Sequence, residues 1–250
     1  MPAPFPSAFP ASRLRLLAHS SARSGGRGAG HGRAGEERCD LCSESLPEEH
    51  RHLLDLRQGA VSCACRACSL LFDRQEAGGS HYRLLPRRRL RLDGCEIDDA
   101  LWAGLGVPVG LAFFTRAGTS DSTRDSTPGS ARDGVHPETR GEVTAGYPSP
   151  LGVLRSTVDP HHWREVEASH PALPAMADDV EALLVNRAEG AREHWIVPLD
   201  DCYRLVAVVR ARWKGLGGGP EVRQHIEDFF HRLSTDSRPE TKEASWPVSP

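Results

Sequence analysis

The sequence predicts an α+β fold, and three observations carry that expectation. Five of the seven cysteines crowd between Cys39 and Cys68, on both sides of a short hairpin pattern. Apolar runs of strand length, such as residues 107–115 and 180–186, alternate with segments of helical periodicity. The two ends and an internal stretch are rich in Pro, Ser, Arg and Gly, which leaves roughly 170 foldable residues, enough to bury a core.

Composition narrows the function classes. The chain has 250 residues and a formal charge of -3, so no general attraction to nucleic acid or to a membrane surface is implied. Lys214 and Lys242 are the only lysines, and the remaining cations are arginines, read as a coding bias. No run of about 18 apolar residues exists, so no membrane span is expected. Arg13, Arg15, Arg23, Arg27 and Arg33 precede the first acid, Glu36, a superficial likeness to a transit peptide. Pro, Ser and Arg break every apolar stretch there, so residues 1–37 read as a disordered extension or an over-long translated start. An odd, clustered set of cysteines fits a metal site in a reducing compartment, the cytoplasm, better than a disulfide framework.

The elements follow in order. Residues 50–56 read as a strand, Arg57, Gln58 and Gly59 as a turn, and residues 60–63 as the returning strand. A helix starting at Cys65 would place Cys65 and Cys68 on one face. The basic stretch 82–92 reads as extended, interrupted by Pro86. A short helix is expected over 97–105, with Ile97, Leu101 and Leu105 on one stripe and Gly106 ending it. Residues 107–115 form a buried strand, and 117–141 a disordered insertion. Structure resumes near Val143, with 147–150 as a turn. Asp159 and Pro160 open a helix that ends before Pro171. Residues 180–186 and 195–199 are strands. Residues 200–213 are read as a helix capped by Asp200, and Pro220 opens a last amphipathic helix burying Val222, Ile226, Phe229, Phe230 and Leu233. Residues 235–250 are a polar tail. The domains expected are thus a Cys-rich module over 38–73 and an α+β domain over 80–233, carrying the 117–141 insertion.

The cysteines carry the chemistry. Cys39 and Cys42 form a C-x-x-C knuckle, and the hairpin returns Cys65 and Cys68 to complete a tetrahedral S4 set. Knuckle, hairpin and helix start resemble a treble-clef or zinc-ribbon module, with Zn2+ as the expected ion. Iron, as a rubredoxin-like centre or an Fe–S cluster, uses the same ligand count, but the second pair lacks the Pro and Gly usual in rubredoxin knuckles. Cys63 is a fifth thiol, able to replace Cys65 or to sit beside the site. Four thiolates leave no position for substrate, so the zinc reading is structural.

The remaining candidates are read as structural. His50 and His52 share a strand face, expected to be exposed, with a ligand or supporting role as the alternative. His161 and His162 read as a solvated first turn. The acid pairs Asp98–Asp99, Asp178–Asp179 and Asp200–Asp201 sit where elements begin, as the helix dipole and capping favour. The glycines at 215 and 217–219 precede G-P, not the G-K-[ST] of a phosphate loop. Cys95 and Cys202 have acidic neighbours and do not read as nucleophiles. An enzyme working through Asp200, Asp201 and Cys202 has little support.

C-D-L-C, E-E-H-R-H-L-L-D-L, C-A-C-R-A-C-S-L-L-F, D-D-A-L-W-A-G-L-G-V-P-V-G-L-A-F-F, D-V-E-A-L-L-V-N-R, P-L-D-D-C-Y-R-L-V and W-K-G-L-G-G-G-P-E-V together resemble an uncharacterised actinobacterial protein family. The resemblance spans most of residues 38–233. It implies members encoded near nickel–iron hydrogenase genes, hence an accessory, maturation or electron-transfer role. The expectation is a non-enzymatic zinc-binding accessory protein with a protein partner, a hydrogenase subunit or maturation factor. The alternative is an iron–thiolate electron carrier.

Overall fold

The computed structural model describes residues 37–72, 81–118, 141–214 and 218–236. The expected disorder of the N-terminal extension, the insertion and the tail falls almost wholly outside these residues. Two antiparallel sheets organise the chain. Strands β1 (Arg51–Asp55), β2 (Ala60–Ala64) and β3 (Tyr82–Leu84) form the smaller, in the order β2-β1-β3. The larger contains β4 (Leu90–Arg91), β5 (Leu111–Arg116), β6 (Val143–Ser149), β7 (Gly152–Thr157), β8 (Glu181–Asn186) and β9 (Glu193–Pro198), in the order β4-β9-β8-β5-β6-β7. The helices are α1 (Arg66–Leu71), α2 (Asp99–Gly104), α3 (Pro160–Ala168), α4 (Leu199–Arg212) and α5 (Gly219–Asp236). The fold is α+β, as expected.

The period-two alternation of strand side chains sorts the core into two layers. Phe113, Leu184, Trp195 and Val197 face one side, where Leu205, Val206, Val209, Phe230 and Leu233 of α4 and α5 cover them. Phe114, Leu183, Val185 and Ile196 face the other, against Trp163 and Val166 of α3 and Leu173 and Met176 beyond it. Both sheet faces are therefore covered, which is why β8 is buried at all six positions and its centre, residues 182–185, is wholly apolar. Fully burying a side chain the size of Leu or Phe contributes about 2–3 kcal/mol.

The small sheet divides its faces in the same way. Leu53 and Ala64 pack against Cys39, Cys65 and Cys68. Leu54, one residue on, joins the core around α4, with Leu85 and partly buried Val61 beside it. The cysteine module is thus seated on α4 through the face of β1 opposite the cysteines.

Several expectations change. The extended stretch 82–92 is two strands in two different sheets, β3 pairing with β1 and β4 with β9. Pro86 falls at the changeover, and the segment ties the sheets together. Tyr147, Pro148 and Ser149 belong to β6; the turn lies at Pro150 and Leu151, and it closes an unforeseen hairpin with β7. Gly146 permits that hairpin's packing, since a Cβ there would lie 2.5 Å from the Phe113 ring. The last helix runs on through Asp236, beyond where the tail was expected to begin. The helix before it starts at Leu199, after Pro198, with no side-chain cap. Asp200 is therefore not a cap. Asp159 and Asp98 are: they accept from the backbone N–H groups of His161 and Leu101 at 2.7 Å each.

His194 sits in β9 at 4% exposure with its Nε2 buried. Burial, then the charges of Arg187 and Arg192, lower its pKa from the ordinary 6.5 to about 4. As pH falls, the unfolded chain takes up this proton first. The contribution of neutral His194 is therefore full above pH 6.5 and lost between 6.5 and about 4, at most about 3 kcal/mol. Thermal unfolding followed from about pH 7 to about pH 4 should show this loss. His194→Gln should flatten that part of the profile, and an unchanged slope contradicts the assignment.

Candidate metal centre

The site is built from a turn, a hairpin and a helix start. In the turn, the Ser43 N–H donates to the Cys39 carbonyl and the Cys39 N–H to that of Glu44, each at 2.8 Å. Ser43 takes a positive φ of 63° to close it. The β1–β2 hairpin then carries the chain back. Asp40 bridges the two parts: its N–H donates to the Cys63 carbonyl at 2.9 Å, and its Oδ2 accepts from the Cys63 N–H at 2.8 Å. Cys65 caps α1, its sulfur accepting from the Cys68 N–H at 3.4 Å. The helical expectation for Cys65 and Cys68 therefore holds, with Cys65 at the cap.

The sulfurs of Cys39, Cys42, Cys65 and Cys68 lie within 4.8 Å of one another. Cys42 and Cys65 are 3.6 Å apart, sulfur to sulfur. A tetrahedral Zn–S4 centre with bonds of about 2.3 Å has sulfur–sulfur edges of about 3.8 Å. The donor set fits a thiophilic cation, and this cluster could hold a metal ion.

The electrostatics agree with that fit. Burial raises the Cys39 pKa, but the backbone N–H groups of Cys65, Leu41 and Cys42 outweigh it and hold the thiol at about 7. Burial, and then the sulfurs of Cys42, Cys65 and Cys39, push Cys68 well up. One thiolate forms readily and the next are resisted by the first, the imbalance that a bound dication removes.

Cys63 stands outside this set. It pairs directly with His52 across the hairpin, so alternation turns it to the opposite face from Ala64. The structure groups it with His50 and His52. Burial, then the charges of Asp40 and Glu37, push its thiol up to about 12.

The expectation of an exposed histidine face is corrected. The side chains of His50 and His52 are each only 7% exposed, His50 beside Pro47 and Glu37 and His52 against the first turn of α4. His52 Nδ1 is 2.9 Å from Asp200 Oδ2. Asp200 and Asp201, read from sequence as helix-start acids, form the polar centre of this seam. Arg89 clamps Asp201 with two bonds of 2.6 and 3.0 Å, and Arg204 adds one of 3.1 Å. Arg204 also lies 3.6 Å from Asp200. Burial works against ionisation of Asp200, but the His52 hydrogen bond and Arg204 hold its pKa below the usual carboxylate value. Asp201 is pushed up, by burial first and by neighbouring Asp200, against the opposing pull of Arg89.

The other candidates serve the framework. Asp178 pairs with Arg116 at 2.5 Å and Asp179 with Arg83 at 2.9 Å. His161 is solvated as expected, whereas His162 is half-buried against Gly104 of α2. Cys202 is wholly buried, and burial followed by Asp201 and Asp200 pushes its thiol far up. Cys95 is raised by burial and sits 3.2 Å from the Ser169 hydroxyl. Arg89 and Arg204 are the participants that sequence reasoning missed. Arg204 lies three and four residues after Asp201 and Asp200 on one helix, a spacing that could have found it. Arg89, in an arginine run beside Pro86, gave no sign of a partner 112 residues away.

The structure combines a four-cysteine cluster that could hold a metal ion with an antiparallel α+β fold. The chain belongs to a family of unknown function, DUF5947, whose pattern matches residues 38–138 and 134–237. No curated protein and no solved structure matches it.

Cys39→Ser should weaken metal binding by more than about 100-fold, beyond the 10–100-fold that an outer partner is worth, and should lower the melting temperature. Metal content after dialysis and thermal unfolding check this. A variant that keeps both contradicts the ligand assignment.

Proposed function

We propose that the chain is a non-enzymatic accessory protein whose four thiolates bind Zn2+ as a structural centre and whose work is to bind a protein partner. The observation that carries this reading is closure. Cys39, Cys42, Cys65 and Cys68 supply all four positions of a tetrahedral site, leaving none for a substrate. Beside them, Leu70 and Leu71 of α1 are 63% and 58% exposed, and Leu41 of the turn is 37% exposed. Apolar side chains held on a rigid support suit a recognition surface. The acids and thiol offered as a catalytic alternative favour this reading too, because Asp200 and Asp201 are committed to His52, Arg89 and Arg204 and Cys202 is buried.

Zinc is preferred to iron because the second cysteine pair lies on a capped helix start and not in a second knuckle of the rubredoxin kind. Among the described residues, no helix is long and apolar enough to cross a membrane. The odd, clustered set of cysteines supports a reducing compartment, the cytoplasm. The family resemblance supplies the partner class, a component of a nickel–iron hydrogenase system.

Anaerobic purification with elemental analysis and a visible spectrum tests the centre. Zinc with a colourless solution is the expected result; iron with thiolate charge-transfer bands overturns the structural reading in favour of an electron carrier. A native lysate that returns no stable partner contradicts the accessory role.

A further inference from the structure

Beyond the knuckle, the opposite face of the hairpin holds three more metal-ligating side chains. One ring nitrogen of His50, one of His52 and the Cys63 sulfur all lie within 4.8 Å of one another. We propose that His50, His52 and Cys63 form a second metal site, in which two imidazoles and one thiolate bind one divalent cation of the zinc class and leave its fourth position open to an exchangeable ligand.

The hairpin register builds the set. His52 is the direct cross-strand partner of Cys63, so their side chains leave the same face. His50 precedes His52 by two residues and joins that face. The rings sit edge to face with centroids 4.8 Å apart. A tetrahedral set of two nitrogens and one sulfur has donor–donor edges of about 3.3–3.6 Å, a small side-chain rotation inside the observed spacing.

Outer partners fix which nitrogen is offered. His50 Nδ1 lies 3.0 Å from the Pro47 carbonyl, which can only accept, so this nitrogen carries the hydrogen. Glu37 Oε2 stands 3.7 Å from the same nitrogen. His52 Nδ1 lies 2.9 Å from the Asp200 carboxylate. In the neutral rings, both lone pairs are then on Nε2. Both Nε2 atoms are buried without a hydrogen-bond partner, on side chains more than nine-tenths buried. Two orphaned acceptors on adjacent rings are costly, about 1–3 kcal/mol each, unless a cation takes both lone pairs. A metal-binding histidine commonly donates its other ring N–H to a carboxylate or a backbone carbonyl, and here one histidine has each.

Two imidazoles with one thiolate suit Zn2+, and three protein ligands leave one coordination position for water in the isolated protein. This distinguishes the second site from the closed S4 cluster. The proposal does not rest on which metal the four thiolates hold.

Titration of the reduced, metal-free full chain with Co2+, followed by competition with Zn2+, tests it. Two equivalents are expected: one with the intense charge-transfer bands of four thiolates, one with the weaker band of a single thiolate. His50→Gln and Cys63→Ser should each remove the second equivalent and keep the first, whose bands also report that the variant is folded. Asp200→Asn should weaken the second equivalent about 10–100-fold and spare the first. Saturation of the unaltered chain at one equivalent overturns the proposal whatever the variants do. So does a second equivalent that survives in folded Cys63→Ser. Loss of the tetrathiolate bands from the unaltered chain, with the single-thiolate band kept, counts against the S4 reading alone.

Discussion

Two carboxylates buried side by side in the first turn of α4 must be neutralised, and the way this is done holds the two sheets together. Asp200 is 6% exposed and Asp201 3%. A charge so buried costs several kcal/mol unless it is paired and hydrogen-bonded. The chain brings the partners from three places: Arg89 from the β3–β4 connection, Arg204 from the next turn of α4, and His52 from β1. Removing the Arg89 guanidinium would leave buried Asp201 short of its main counter-charge, at a cost of about 3–5 kcal/mol. The seam therefore joins Leu54 in holding β1 against α4, and the other face of β1 lies under the cysteines.

Alternation along β1 and β2 converts that position into two chemical faces. Leu53 and Ala64 support the four-thiolate cluster, while His52, Leu54 and Cys63 turn toward α4. The two faces are one strand thickness apart, so the cysteine cluster and the seam share the same hairpin strands. A centre that closes the module also fixes the half of the seam that the module supplies. Leu70 and Leu71 project from the helix that the Cys65 cap begins, so the cysteine cluster and these exposed side chains share one short helix.

Much of this was legible in the sequence. The C-x-x-C spacing, the hairpin and the helix start led to the cysteine set, because local spacing and turn chemistry decide them. The strands expected at 107–115 and 180–186 and the last two helices followed from apolar patterning, although the first strand begins only at Leu111, after the loop that holds Pro108. What was not legible depends on contacts between distant segments. Asp200, just after Pro198 and Leu199, looks like a cap, and only the arrival of His52 makes it a buried partner. His50 and His52 look like a polar strand face until α4 covers them. The β6–β7 hairpin was hidden because Pro148 and Pro150 suggested a turn too early. Whether Cys63 replaces Cys65 was open in sequence; the register pairs Cys63 with His52, while β2 ends at Ala64 and Cys65 leaves the strand as the cap of α1.

Amide hydrogen exchange before and after chelation of the metal tests this coupling most directly. If the thiolate centre holds the module and the module completes the seam, chelation will deprotect residues 51–64 and the first turns of α4 together. The central strands β5 and β8, covered on both faces, will keep their protection. Module amides that stay protected without metal, or deprotection confined to residues 39–42, would contradict the account.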